Sequence, residues 1–464
     1  MTLMFRISVL IFLLLPIRVW ASGECVAVPE GSAQPRPKIV ISDLHLGPGR
    51  TAAGGPWNAL EDFRFAETFR SFLTEISKDG AVDLIIAGDF IDFWQIKPEL
   101  NGELGATQDD SVKKVRVALF QHGDTFSDLA RFMEKGNRLV LVPGNHDADL
   151  QWPGVQQAIR EKIGSTASAN LIFASPCYRA PGLHVEHGHQ HDYANHFNNP
   201  AAPMVEVGGT RRLETNWGTV FVSSFYNQVE GEKAFIDNLQ PSLAAVWWAL
   251  RSEPTRKFAI PQIGKLLVML LRDQSALHNL GYLAYSLGPT EVPKNAPAKT
   301  VDNLVGLYAK ADPVLAEPLS RLMEDPEARM AAEQALADLP DQKWREAQIV
   351  KENATLGKRF HDPYVDAADD IVLDDPSVKV VVMGHTHDLE RTKITALEGG
   401  DRWYANTGCW QKSLSVKKAK QDWVWSKLDL DNTSMFKDRF SYVAIRYDKD
   451  GSIQKPARSF WPAQ

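Results

Sequence analysis

Five short islands in this chain combine carboxylate, amide and imidazole side chains. They are Asp43-Leu44-His45, Gly88-Asp89-Phe90-Ile91-Asp92, Gly144-Asn145-His146-Asp147, His187-Gly188-His189 and Gly384-His385-Thr386-His387. Together they offer hard oxygen and borderline imidazole ligands, enough to hold two divalent metal ions. In an extended i, i+2 pair both side chains point the same way, so Asp43 and His45 can reach one metal. The pair His385 and His387 repeats that logic, with one imidazole available to each metal. Asp89 has two carboxylate oxygens and can bridge two cations, and Asn145 adds a neutral carbonyl oxygen. His146 could protonate a leaving alkoxide as a general acid, with Asp92 as the candidate to orient it. Two adjacent metals are a standard device for attacking a phosphate ester, so these residues point to a hydrolase.

Each island alone also fits a plainer role. Asp-x-His is common in surface turns, Asp89 could cap a helix, and Asn145 suits a tight turn. In the cluster His187 to Asp192, three residues (His189, His191 and Asp192) read as partners that orient ligands rather than as ligands. The five islands occur in order, each after a short apolar run, and that joint pattern favours the metal reading.

Those runs are the elements that must position the site. Lys38 to Ser42, Val82 to Ala87, Arg138 to Val142, Leu183 to Glu186 and Val378 to Met383 read as buried strands ending at an island. Gly400 to Ala405 and Ser441 to Tyr447 add two more. Apolar spacing predicts helices over Trp57 to Lys78 and Val112 to Lys135. In open α/β sheets, sites form at the carboxyl ends of strands, so the five islands are expected to converge on one edge.

The domain reading is a signal peptide (1–21), a linker (22–36), a core in two parts (37–195 and 365–464) and an insertion (196–364). Across the insertion strand signals fade and helical spacing dominates. It is too long for an ordinary loop, so it is expected to carry its own core, and it enters beside His187 and returns before His385. Trp247, Trp248, Phe258 and the apolar run Leu266 to Leu271 read as that core or as a lid over the strand ends. An apolar lid would suit an amphipathic substrate and peripheral membrane contact.

The chain has 464 residues, 44% hydrophobic and 23% charged, with a formal net charge of −7. The acidic balance gives no general reason to expect nucleic-acid binding. Arg6, then the apolar run Ile7 to Ile17, then Val19-Trp20-Ala21 have the layout of a secretory signal cleaved after Ala21. The run is shorter than the ~20 residues needed to span a bilayer, so a periplasmic or extracellular protein is expected. Only Cys25, Cys177 and Cys409 are present, so one intrachain disulfide at most can form, and the sequence leaves its pairing open.

The islands, taken together, resemble the signature of the calcineurin-like metallophosphoesterase superfamily: D-x-H, G-D-x-x-D, G-N-H-D/E, H and G-H-x-H. The words Ser42-Asp43-Leu44-His45-Leu46-Gly47, Gly88-Asp89-Phe90-Ile91-Asp92-Phe93-Trp94 and Asn406-Thr407-Gly408-Cys409-Trp410 are similar to the branch containing UDP-2,3-diacylglucosamine pyrophosphatases. The resemblance implies a four-layer α/β/β/α sandwich of two mixed sheets, here with a large mainly helical insertion. It implies one metal on Asp43, His45, Asp89 and His387 and a second on Asp89, Asn145, His187 and His385. A metal-bound hydroxide would attack phosphorus, and His146, oriented by Asp92, would assist the leaving group. The ions could be Mn, Fe, Zn or Mg. The expected substrate is a phosphodiester or pyrophosphate; the alternatives are a phosphomonoester or, in a non-catalytic scaffold, none. Two features depart from that branch: the apparent export, and His187-Gly188-His189 where the branch has His-Gly-Asp. Phe93-Trp94 after Asp92, in place of Arg-Gly, disfavours a protein phosphatase.

Overall fold

The computed structural model describes residues 24–28, 35–97, 104–192, 195–232, 234–235, 238–240, 297–311, 320, 323–324, 326–338, 341, 344, 363–394, 397, 400–415 and 433–462. The first part of the chain forms β1 (Val26–Ala27), β2 (Lys38–Ile41), α1 (Ala66–Ile76), β3 (Asp83–Ala87), α2 (Gln108–Gln121), α3 (Gly123–Glu134), β4 (Arg138–Val142), α4 (Pro153–Ile163) and α5 (Ser165–Ser168). β5 (Leu171–Phe173), β6 (Tyr178–Ala180) and β7 (Leu183–Val185) follow. Next come β8 (Met204–Val207), β9 (Thr210–Leu213), α6 (Trp217–Phe221), α7 (Asn227–Glu232), β10 (Leu239–Gln240), α8 (Val301–Ala311) and α9 (Pro326–Asp338). The chain closes with α10 (Pro363–Asp374), β11 (Val380–Met383), β12 (Leu389–Ile394), β13 (Arg402–Thr407), β14 (Trp410–Ser415), β15 (Lys437–Ile445) and β16 (Ala457–Phe460).

Apart from the β8–β9 hairpin, the described strands build two mixed sheets. One runs β10-β14-β15-β2-β3-β4-β5, with β16 added to β15, and the other runs β1-β6-β7-β11-β13-β12. In the larger sheet β2, β3, β4 and β5 are parallel neighbours, and β15 pairs antiparallel to β2. In the smaller sheet β7, β11 and β13 run parallel.

The strand sequences explain the layering. β2 (KIVI), β3 (DLIIA) and β4 (RLVLV) are almost continuously apolar because both faces are covered. Val40, Ile85, Ala87, Val140 and Val142 point inward and meet Leu183, Val185, Val380, Val382 and Ala405 of the other sheet. The alternate residues Ile39, Ile41, Leu84, Ile86 and Leu141 point outward and pack with Phe69, Val115, Phe126 and Val155 of α1 to α4. On the far side Val381 and Met383 meet Tyr364, Ala368 and Val372 of α10. The result is the α/β calcineurin-like arrangement of two sheets between helices.

Several boundaries differ from the sequence reading. The helix expected from Trp57 begins only at Ala66. The Glu61 carboxylate accepts the N–H groups of Gly49 (2.6 Å) and Phe63 (2.7 Å), and the Asn58 side chain accepts that of Leu60. These local bonds compete with helix. The helix expected over Val112 to Lys135 is two helices, broken at His122, whose Nε2 lies 3.2 Å from both the Gly47 carbonyl and Glu61. The strand expected over 400–405 runs to Thr407, and the one at 441–447 begins at Lys437. The short strands β5, β6, β12, β14 and β16 carried no clear signal.

Within the span read as an insertion, the described elements are the β8–β9 hairpin, α6 to α9, β10 and a π-helical turn at Val222–Tyr226. Residues 241–296, which include Trp247, Trp248, Phe258 and the run to Leu271, lie outside the described residues, as does the signal segment 1–21. Among the described residues no helix is long and apolar enough to cross a membrane. Cys25 and Cys177 form a disulfide, and Cys409 is free and buried.

Among the described residues Trp410 is the largest fully buried side chain. Its ring lies 4.8 Å from Phe72, 5.1 Å from Phe440 and 5.5 Å from Phe69, and its Nε1–H donates to the Ser441 carbonyl. Trp410→Ala is expected to destabilise the fold by ~3–5 kcal/mol. Urea unfolding checks it, and a loss below ~1 kcal/mol would contradict this account of the helix–sheet core.

Candidate metal centre

Asp43, Asp89 and Asn145 follow β2, β3 and β4 of the larger sheet, while His187 and His385 follow β7 and β11 of the smaller. The islands therefore meet where the carboxyl ends of two packed sheets face each other. The turns that bring them there are unusual. Among the described residues only six non-glycine residues have positive φ, and five are Asp43 (56°), His45 (50°), Asp89 (52°), His385 (72°) and His387 (58°). Such backbone clusters where surrounding structure over-determines a functional site. Two glycines make room for it. A Cβ at Gly88 would overlap the His187 ring, and one at Gly144 would overlap the Asp89 carboxylate.

The donors assemble into contiguous groups. Asp43, His45 and His387 bring ligand atoms within 4.8 Å of one another, as do Asp89, His187 and His385. His45, Asp89 and His146 form a third such group between them. Asp43 Oδ1 lies 3.1 Å from His387 Nε2, and Asp89 Oδ2 lies 3.1 Å from His187 Nε2. Asn145 Oδ1 stands 3.1 Å from the same His187 nitrogen. Asp43 Oδ1 and His45 Nε2 are buried without a hydrogen-bond partner. Buried polar atoms are rarely left so, and a carboxylate oxygen facing imidazole nitrogens without a hydrogen bond to them fits a divalent cation. The residues present suit the group.

Supporting contacts set the tautomers. His187 Nδ1 lies 2.8 Å from the Ala87 carbonyl, which fixes the proton there and leaves Nε2 for a ligand. His385 Nε2 lies 2.8 Å from Asp192 Oδ2, leaving Nδ1. Asp92 Oδ2 reaches Nδ1 of two imidazoles, His45 at 2.9 Å and His146 at 2.8 Å. The indole of Trp94 stacks on the His146 ring at 3.9 Å. Asp43 Oδ2 accepts from the Ser42 hydroxyl and from the His385 N–H.

Electrostatics follow from this crowding. Burial alone would raise the Asp43, Asp89 and Asp92 carboxyls, but the imidazoles around them overcome it and hold all three below the ordinary range. Burial opposes charge on His187, yet Asp89 lifts it to about 9. Asp147 goes the other way: burial and the adjacent Asp89 push it up to about 7. Its carboxylate accepts the N–H groups of Gly144 (2.6 Å), Phe90 (2.8 Å) and Asp89 (3.2 Å), so it ties two ligand loops together.

The structure thus brings together Asp43, His45, Asp89, Asn145, His187, His385, His387, His146 and Asp92. His189 packs its ring edge against Phe197 and stands outside the ligand groups, and His191 contacts Glu186. Asp147 and the second contact of Asp92, to His45, were missed. Asp147 was in plain view in its island, but no spacing rule separates a clamp on backbone amides from a ligand. Gly88→Ala should cost ~1–3 kcal/mol in stability through its positive φ and the displaced His187. It should also weaken cation binding, read by titration calorimetry with Mn²⁺. Unchanged binding in the folded variant would contradict the role given to that close approach.

The calcineurin-like phosphoesterase family model matches residues 37–204. Among the curated proteins none matches the chain. The family match ends before the Gly384–His387 island, which the fold supplies from the smaller sheet. The match, the two-sheet fold and the His/Asp clusters together support the metallophosphoesterase superfamily and a metal-dependent phosphoester hydrolase.

Proposed function

We propose that the chain hydrolyses a phosphodiester or pyrophosphate at a centre of two divalent ions. Asp43, His45 and His387 would hold one ion, Asn145, His187 and His385 the other, with Asp89 shared. The observation that carries this reading is the buried pair Asp43 Oδ1 and His45 Nε2, neither in a hydrogen bond, beside His387 and Asp89. Cations bound there would supply Lewis-acid stabilisation of the phosphoryl charge and activation of water.

The chain's own residues do the rest. Asp92 holds the His146 proton at Nδ1, so Nε2 is the atom that would deliver a proton to the leaving oxygen once charged. Trp94, stacked on that ring, keeps it in plane. His187 is fixed by the Ala87 carbonyl and His385 by Asp192, so neither ligand can turn away. Asp147 keeps the Asp89 and Gly144 loops in register.

The finer reading is a substrate like those of the UDP-2,3-diacylglucosamine pyrophosphatases, an amphipathic pyrophosphate, supported by the words around Asp43, Asp89 and Asn406. The insertion would restrict access to it and could touch a membrane surface. Export to an oxidising compartment is the companion reading, supported by the signal-like N-terminus and by the Cys25–Cys177 disulfide.

The test is hydrolysis of a phosphomonoester, a phosphodiester and a nucleoside-diphosphate conjugate by protein loaded with Mn²⁺, Zn²⁺ or Mg²⁺. Metal-dependent turnover, abolished in Asp89→Asn, is expected, with the diester or the conjugate preferred. His146→Ala should lower kcat by ~10²–10⁴-fold while metal content stays constant. No turnover on any ester by folded, metal-loaded protein would contradict the reading.

A further inference from the structure

A buried lysine that the metal chemistry does not use stands behind the His146 turn. Lys114, on α2, is 2% exposed, and its ammonium donates to the Phe93 carbonyl at 2.7 Å. Burial depresses its pKa, against the pull of Asp149, Asp92 and Asp110. Asp149 is itself buried and accepts from Ser111. An apolar side chain of similar volume would spare the desolvation cost of an ammonium, so packing alone does not explain a lysine at this position.

The carbonyl it holds belongs to a turn whose contacts bear on His146. Phe93 N–H donates to the His146 carbonyl at 3.2 Å. Asp92 Oδ1 accepts from the amides of Trp94 and Gln95, which aims Oδ2 at His146 Nδ1. Trp94 contributes the stacked ring. The cavity beside Lys114, bordered by Phe93, Trp94, Asn145 and Asp149, measures about 20 Å³. On that side the Lys114 ammonium is already engaged by the Phe93 carbonyl.

We infer that Lys114 is a positioning residue for proton delivery by His146. It pins the Phe93 carbonyl and thereby the Asp92 carboxylate and the Trp94 ring. The inference rests on the proposed role of His146 as general acid. Its signature is selective, because an ester with a poor leaving group needs the proton and one with a good leaving group does not.

The experiment compares methyl phenyl phosphate with methyl p-nitrophenyl phosphate at saturating Mn²⁺, using wild type, Lys114→Met and Lys114→Gln. Metal content and circular dichroism are recorded for each. Lys114→Met should lose about tenfold in kcat on the phenyl ester and clearly less on the nitrophenyl ester, with metal content unchanged. Lys114→Gln keeps a donor but is one atom shorter, and should give an intermediate ratio between the two esters. An equal fall on both esters, or none, in folded metal-loaded variants would overturn the inference. Should Lys114→Met not fold, the ratio in Lys114→Gln decides: a lowered ratio supports it, and a wild-type ratio overturns it. Wild-type protein that hydrolyses neither these esters nor a nucleoside-diphosphate conjugate would overturn the phosphoesterase reading and this inference with it; where only the conjugate is cleaved, an unchanged kcat on it in Lys114→Met overturns the inference and a lowered one supports it.

Discussion

Asp89 sits at the point where the two sheets meet, and the rest of the site is arranged around its carboxylate. One oxygen accepts the His146 N–H at 3.0 Å, and the other lies 3.1 Å from His187 Nε2 and 3.7 Å from His45 Nε2. To stand there the residue takes φ of 52° directly after a buried strand. A conformation of that kind costs ~1–3 kcal/mol, and four further island residues share it. The cost is met by rigidity elsewhere. β2, β3 and β4 are buried on both faces, and their ends cannot relax without opening the core between the sheets. Gly88 and Gly144 complete the arrangement by removing the two Cβ atoms that would collide with His187 and Asp89.

The same crowding defines the electrostatics. Asp43, Asp89 and Asp92 are buried together, which would be intolerable without compensating positive charge. Imidazoles supply part of it, and a site of this composition would bind cations strongly for the same reason. Asp147 is pushed up to about 7 chiefly by burial and then by the adjacent Asp89. A cation beside Asp89 would lower that value and tighten the clamp on Gly144 and Phe90. Farther out, Glu186 lies between His184 and His191 and is held ionised against its burial. Charge pairing therefore extends beyond the ligands along β7.

Much of this was legible in the sequence because metal ligands are short, local and placed at strand ends. Asp43, Asp89, Asn145, His187 and His385 each follow an apolar run that became a strand. What was hidden depended on distance in sequence. Asp92 reaching His45 and Cys25 meeting Cys177 are contacts that no local spacing encodes, and Asp192, read as orienting a ligand, gained its particular partner His385 only from the fold. The loop from Trp57 to Phe65 read as helix because its apolar spacing is helical, while Glu61 satisfies its amides from the side. The break at His122 is similar: the apolar period continues through it, and only the Gly47 carbonyl and Glu61 reveal why the chain turns.

The central claim is that these side chains hold two cations sharing Asp89. Electron paramagnetic resonance of protein titrated with Mn²⁺ tests it most directly, alongside stoichiometry from mass spectrometry. The account predicts two bound ions per chain and a spin-coupled signal at saturation, replaced in His387→Ala by the signal of a single isolated ion. One ion per chain in the wild type, or two ions without coupling, would contradict a shared centre.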